Sequence, residues 1–245
     1  YRIMIVQSEG IILKTTRYGE TSLICQGFTR VYGLKSFIVK GVRTARSHSM
    51  KANIFQPGNI VTLDFYNTPH KSLQLVREAQ LAYTYKALRE DIPANCVQLF
   101  MLEVLHNILQ QDFPQEELYD TVRHMFVRLD NGTTPLALLP AFSLLTINKL
   151  SGYTIDNNHS PQTPYLNIWE GRFLPVMPDV PPFLDATASG IIAAMNGIAD
   201  MEALHTVDHR HRQHDILQGL LVFMEHHYPN FKPLRSLPVL TAILS

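Results

Sequence analysis

The chain has 245 residues, of which 46% are hydrophobic and 17% are charged, and this length is enough for one or two domains with hydrophobic cores of their own. The composition excludes a disordered chain, and the presence of only two cysteines excludes a disulfide scaffold and a four-cysteine zinc site. The net charge of zero is unevenly distributed, because residues 1–80 carry eleven Lys and Arg against four Asp and Glu, a net charge of +7 that residues 81–245 balance with −7.

The first eighty residues predict five short strands separated by turns. The predicted strands are residues 9–16, 21–30, 34–42, 60–66 and 72–79. The fourth strand alternates most clearly, with Val61, Leu63 and Phe65 on one face. Five short strands in a segment of this size fit a small antiparallel barrel, and both an OB-fold and an SH3-like barrel agree with the pattern.

The remainder of the chain shows helical periodicity instead. Apolar stripes predict helices over residues 97–109, 118–129, 136–150, 186–195, 214–227 and 238–244. Residues 156–182 interrupt this pattern, since they contain six prolines and the only tryptophan, Trp169. They predict an irregular subregion with one short hairpin, formed by residues 165–169 and 172–174.

Together these patterns predict an α+β protein of two domains. Residues 1–80 form the predicted barrel, for which the OB-fold is the assignment adopted. Residues 81–245 form an all-α helical domain with the Pro-rich subregion, residues 156–182, inserted into it.

The basic residues of the first domain give the strongest functional signal. Lys and Arg neutralise phosphate charge and neighbouring hydroxyls donate single hydrogen bonds, so cations interspersed with Ser and Thr suit a nucleic-acid backbone. The predicted nucleic-acid-binding residues are Lys14, Arg17, Lys35, Lys40, Arg43, Arg46, Lys51 and Arg77. Four aromatic residues, Tyr18, Tyr32, Phe37 and Tyr66, are candidates for stacking on unpaired bases.

A histidine-rich run at residues 205–215 contains residue types that bind metals. Arg210 and Arg212 interrupt it, and these cations disfavour a bound dication, so a solvated helix face with Asp208 paired to Arg212 is the better interpretation. No glycine-rich phosphate loop, dinucleotide fingerprint or nucleophile elbow occurs. Cys25 and Cys96 are interpreted as packing residues, and we expect no catalytic residue and no enzyme activity.

Several motifs, in one order along the chain, carry a resemblance to a known family. The first half contains Ser8-Glu9-Gly10-Ile11-Ile12-Leu13-Lys14, Tyr18-Gly19-Glu20, Phe28-Thr29-Arg30, Lys40-Gly41-Val42-Arg43, Gln56-Pro57-Gly58-Asn59 and Val76-Arg77-Glu78-Ala79. The second half contains Leu150-Ser151-Gly152-Tyr153, Glu170-Gly171-Arg172-Phe173, His227-Tyr228-Pro229 and residues 234–240. With these motifs the chain resembles the bacterial recombination mediator family RecO.

The resemblance implies an N-terminal OB-fold, a C-terminal helical domain and a non-catalytic role in DNA repair by recombination. It implies binding of single- and double-stranded DNA, annealing of complementary strands, and help in loading RecA onto DNA coated with single-strand-binding protein. The implied partners are RecR, the C-terminal tail of single-strand-binding protein and, in some bacteria, RecF. The implied location is the cytoplasm, at the nucleoid, with no membrane contact.

Two further expectations follow from this resemblance. Many relatives carry a four-cysteine zinc module after the Gly-Tyr motif, but residues 156–182 contain no cysteine, so we expect neither zinc nor another cofactor. An acidic, apolar tail needs a cation beside an apolar groove, and Arg123 and Arg128 are the candidates for this contact.

Three other functions remain open from the residues alone. An OB-fold RNA-binding accessory protein would use the same basic barrel. A metal-dependent hydrolase would use His205 and His209, and a protein-interaction scaffold would bind no nucleic acid. Comparing RNA with DNA, analysing the metal content and running a gel shift at low salt would separate these alternatives.

Overall fold

The computed structural model describes residues 4–42, 50–68, 71–132, 134–209 and 211–244. It divides into two compact units. Unit 1 consists of residues 1–86 and 102–127, and unit 2 consists of residues 87–101 and 128–245. Residues 102–127 are therefore grouped with the strands, whereas the sequence predicted a single boundary after residue 80.

Unit 1 is built on five strands that close into a barrel in the order β1-β2-β3-β5-β4. The strands are β1 (Met4–Tyr18), β2 (Ser22–Thr29), β3 (Gly33–Val39), β4 (Ile60–Asn67) and β5 (Leu73–Leu81), and a short helix α1 (Met50–Ile54) precedes β4. The predicted N-terminal β domain is confirmed, and its strand number is that of an OB-fold. The expected all-antiparallel pairing is wrong at one place, because β5 lies between β3 and β4 and pairs with β3 in parallel.

The barrel interior is filled by alternate residues of each strand. Ile12, Cys25, Phe37, Leu63 and Phe65 are fully buried members of one cluster, and β-strand alternation places their neighbours on the outer side. The rings of Phe37 and Phe65 meet edge to face, with centroids 5.1 Å apart. Burial of each of these Ile, Leu and Phe side chains contributes about 1.5–3 kcal/mol, so the cluster stabilises the barrel.

The rest of the described chain is mainly helical, as predicted. The helices are α2 (Ile92–Ile108), α3 (Glu116–Asp130), α4 (Leu139–Leu150), α5 (Ala186–Asn196), α6 (Gln213–His227) and α7 (Leu237–Leu244), with a 3-10 helix over Met201–Thr206. Among the described residues, none of these helices is long and apolar enough to cross a membrane.

The expectation of an all-α second domain is wrong, because residues 165–184 form a small sheet. The predicted hairpin is present as β6 (Tyr165–Asn167) and β7 (Arg172–Leu174), and β8 (Phe183–Leu184) pairs with the other side of β6. Phe173 is buried in this sheet. Its N–H donates to the side-chain oxygen of Asn158 at 3.0 Å, and its carbonyl accepts from the side-chain NH₂ of Asn158 at 2.8 Å. Burial of Phe173 and its hydrogen bonds to Asn158 therefore stabilise this part of residues 156–182, which the sequence predicted to be irregular.

The histidine-rich run does not form the predicted helix face. The 3-10 helix ends at Thr206 and α6 begins only at Gln213. Arg212 donates instead to Asp185 and to Asp215, each at 2.7 Å. Within the described ranges, no group of three His, Cys, Asp or Glu side chains is placed to hold a metal ion.

Candidate nucleic-acid interface

The outer side of β2 and β3 carries a surface that we call the β2–β3 face, defined by Ile24, Gln26, Ser36 and Ile38. Because Cys25 and Phe37 point into the barrel, these four alternate residues point outward. Gln26 pairs with Ser36 in the ladder and Ile24 pairs with Ile38, and all four side chains are half-buried. The face is therefore uncharged and partly apolar at its centre.

Exposed cations lie beside this face and at one end of it. Lys14 pairs with Gln26 across the β1–β2 ladder, and Lys40 follows Val39 on the outward side of β3. Arg17 is in register with Leu23, which is in register with Val39, so Arg17 and Lys40 reach the same end of the barrel.

A fourth exposed cation, Arg77, lies on β5, the strand that pairs with β3. The parallel ladder runs from Ser36 with Leu73 to Ile38 with Leu75, and Arg77 follows Leu75 by two residues. Arg77 is the unpaired residue of a β-bulge opposite Asp64 and Phe65. Lys14, Arg17, Lys40 and Arg77 are exposed, and within the described part of the chain none of them forms an ion pair.

Three of the predicted cations belong to the connection that follows this end of β3. Arg43 and Arg46 lie outside the described residues, as does the side chain of Lys51. The connection starts where the Val42 N–H donates to the Thr21 carbonyl at 3.0 Å, next to the β1–β2 turn.

Lys35 is separate from this group. It lies at the start of β3, its side chain is only 14% exposed, and its ammonium pairs with the Asp112 carboxylate. The sequence alone did not reveal this ion pair, because Asp112 is distant from Lys35 along the chain.

Arg30 is likewise neutralised within unit 1. It donates to both carboxylate oxygens of Asp120 at 2.8 Å and lies 2.9 Å from Glu116. The hydrogen bond from Arg30 holds the pKa of Asp120 below its usual range. The net charge of +7 counted for residues 1–80 therefore overstates the positive charge that the barrel presents, because acids of residues 102–127 compensate part of it.

Arg123, a predicted partner contact, is bound to a carboxylate of β1. Its Nε donates to Glu9 at 2.5 Å, and the Tyr119 hydroxyl donates to the same oxygen at 3.0 Å. Burial and the Glu9 charge raise the pKa of Tyr119, so the phenol remains a donor. An open groove of about 520 Å³ runs over Glu9, Arg30, Asp120 and Arg123. This charged network was not anticipated from the sequence.

Arg128, the second predicted partner contact, pairs with Glu202 inside unit 2. An acidic peptide would have to compete with a carboxylate at each of these two arginines. Their role in binding a partner remains a prediction.

Of the four predicted stacking aromatics, Phe37 is wrong, because its ring is fully buried. Tyr32 is half-buried and packs edge to face on Phe65 at 5.5 Å, against the barrel core, and its role in stacking stays a prediction. Tyr18 is 53% exposed beside the β1–β2 turn, and Tyr66 lies half-buried on the outer side of β4. These two rings remain available to a ligand.

Comparison with known proteins confirms the family resemblance. Residues 4–85, the whole barrel, match the family described as "Recombination protein O N terminal". The chain is 23% identical to the DNA repair protein RecO of Flavobacterium psychrophilum over 244 residues, covering 99% of this chain and 100% of the relative.

Two further relatives show the same coverage. The DNA repair protein RecO of Christiangramia forsetii is 24% identical over 241 residues, covering 98% of this chain and 99% of the relative. That of Phocaeicola vulgatus is 25% identical over 246 residues, covering 99% and 100%. The similarity therefore extends over both structural units.

Proposed function

We propose that the chain is a RecO-like DNA repair protein, and that it is a non-catalytic mediator whose barrel binds the backbone of single- and double-stranded DNA. The observation that carries this proposal is the group formed by Lys14, Arg17, Lys40 and Arg77. These cations are exposed, they have no ion-pair partner among the described residues, and they lie beside the β2–β3 face. In OB-folds, this face is the one that binds oligonucleotides.

Binding is expected to be electrostatic and independent of sequence. Each phosphate neutralised by a cation releases condensed counterions, and on a single strand the slope of log K against log salt is about −0.7 per contact. Four contacts predict a slope of about −3. The half-buried Ile24 and Ile38 and the exposed Tyr18 ring offer apolar contact to unstacked bases without reading them.

Annealing of complementary strands follows from the same charge arrangement. Two DNA strands repel each other through their phosphates, and cations that neutralise both strands lower that repulsion so that bases can pair. The centre of the face carries no charged side chain, so a bound strand keeps its base edges free of specific contacts.

Protein partners belong to the same proposal. We propose that RecR and the C-terminal tail of single-strand-binding protein bind this chain, that RecA is loaded as a consequence, and that RecF takes part where it is present. Arg123 and Arg128 are the proposed tail contacts, each through exchange of its present carboxylate partner. The proposed place of action is the cytoplasmic nucleoid.

The direct test is a salt titration of binding to a labelled oligo(dT), with charge reversal at three positions. Lys14→Glu, Lys40→Glu and Arg77→Glu are each expected to weaken binding and to reduce the slope by about 0.7. The matched control is Lys149→Glu at an exposed lysine of α4, which should leave the affinity and the slope unchanged. A wild-type affinity that does not depend on salt would contradict the proposal.

Two further measurements separate a mediator from related functions. Acceleration of annealing, with naked strands and with strands coated by single-strand-binding protein, is expected of a mediator. Tighter binding to RNA than to a matched DNA strand would instead favour the RNA-binding alternative.

A further inference from the structure

Residues 111–113 are fixed against the start of β3. Leu34 forms a parallel bridge with Gln111, and the Asp112 N–H donates to the Leu34 carbonyl at 3.2 Å. Gly33, the residue before Leu34, lies so close to this segment that a Cβ on it would be 2.3 Å from the Phe113 carbonyl oxygen. The backbone therefore holds Asp112 in a defined position beside Lys35.

The conformation of Asp112 is itself uncommon. Its φ of 60° lies in the left-handed region, which Asp and Asn adopt more readily than other residues with a side chain. The carboxylate pairs with the Lys35 ammonium, and the Asp112 side chain is 64% exposed while that of Lys35 is 14% exposed. The small exposed part of the Lys35 side chain is therefore already paired with a carboxylate.

A pocket of about 470 Å³ opens at this pair, and we call it the β4–β5 pocket. Its lining residues are Lys35, Asn67, Thr68, Lys71, Ser72, Gln74 and Asp112. It combines two ammonium groups, two hydroxyls and two amides with one carboxylate. Apart from Asp112, this is the set of donors that binds a phosphate.

Gln74 shapes the pocket from inside the barrel. Its side chain is 2% exposed, and its amide accepts from the Thr68 N–H at 2.8 Å and donates to the Lys71 carbonyl at 2.6 Å. The backbone at Thr68 and Lys71 is therefore positioned before any ligand arrives, which lowers the entropic cost of binding.

We propose that the β4–β5 pocket binds one phosphate of a single-stranded nucleic acid, and that Asp112 competes with that phosphate for Lys35. The inference rests on the proposed function, since it adds a phosphate contact and its regulator to the same barrel. A phosphate that enters between Lys35 and Lys71 meets the negative charge of Asp112. Asp112 therefore weakens the contact, and the carboxylate must move aside or share the ammonium.

The test is Asp112→Asn, which removes the charge and keeps both the shape and the tolerance for a left-handed backbone. Oligo(dT) binding, measured by fluorescence anisotropy over a range of salt, is expected to tighten about three- to tenfold at low salt. The slope of log K against log salt is expected to steepen by about 0.7, the increment for one added phosphate contact. The control is Glu117→Gln, an exposed acid of α3 in the same unit.

Lys71→Gln tests the pocket from its other side. Lys71 is exposed and forms no ion pair with the described residues, so its replacement does not depend on the stability of the 111–113 segment. It should weaken binding and reduce the slope by about 0.7. In Asp112→Asn combined with Lys35→Gln, the gain from the first change should disappear.

The outcomes distinguish this inference from the proposed function. If the wild type binds with a steep salt dependence but Asp112→Asn behaves like Glu117→Gln, or Lys71→Gln changes nothing, the subsite is overturned and the barrel proposal stands. If the wild type does not bind oligo(dT), both are overturned.

Discussion

The guanidinium of Arg30 and the carboxylate of Asp120 form two parallel hydrogen bonds of 2.8 Å, although 90 residues separate them. This bidentate geometry is the strongest form of an Arg–carboxylate contact. It joins the end of β2 to α3 inside unit 1 and removes a cation from the basic surface of the barrel.

We predict that Asp120→Asn lowers the stability of unit 1 in a pH-dependent way. Arg30 lowers the pKa of Asp120, so the pair contributes stability above the ordinary Asp pKa of about 3.9. That contribution is lost as the pH falls through the lowered pKa. Urea midpoints of wild type and variant should differ at pH 7 and converge in acid. A difference that does not shrink as the pH falls below about 3.9 would point to packing instead of charge.

The barrel was predictable because its signal is local. Val61, Leu63 and Phe65 alternate with polar residues, and turns such as Pro57-Gly58-Asn59 mark the strand ends, so strand number and position follow from short windows. The parallel β3–β5 pairing and the closure of the barrel depend on distant partners, which no short window contains.

The site was predictable only in part, for a related reason. The periodicity of α2 predicts that its apolar stripe is buried. It does not predict which hydrophobic core each turn of the helix packs into. Residues 102–127 group with the barrel, and Asp112 and Asp120 neutralise Lys35 and Arg30 there. Counting charges along the chain cannot reveal such pairs.

We predict that Phe37 acts in packing and not in base stacking. Its ring lies 3.2 Å from the position of a Cβ on Gly27 and meets Phe65 inside the core. Phe37→Ala should cost about 3–5 kcal/mol of unfolding free energy, and Phe37→Leu should cost less. If Phe37→Leu folds but loses affinity for oligo(dT) without a change in stability, the ring contacts DNA and this assignment is wrong.

A matched pair of glycines measures the contact between β3 and residue 113. Gly33 has a φ of 68° and Gly19 has a φ of 61°, but an added Cβ meets Phe113 only at Gly33 and meets nothing within 4 Å at Gly19. Gly19→Ala should therefore cost only the left-handed penalty of about 1–2 kcal/mol. Gly33→Ala should cost clearly more in chemical denaturation. Equal losses would mean that residues 111–113 can move away from β3.

The final prediction concerns the barrel thiol. Burial raises the pKa of Cys25 to about 12, against about 8.5 for a free thiol, so Cys25 stays protonated in the native protein at pH 8.5. In a Cys96→Ser variant the remaining thiol should react with a thiol reagent only after unfolding.

The unfolded chain loses the Cys25 proton more readily, so stability should fall as the pH rises above about 8.5, by on the order of 1.4 kcal/mol per pH unit. Cys25→Ala is the control, because comparing its urea midpoint with that of the wild type at pH 7 and pH 10 isolates the thiol from the titration of Tyr and Lys. Rapid labelling of native Cys25, or an identical pH dependence in Cys25→Ala, would show that solvent reaches the interior of the barrel.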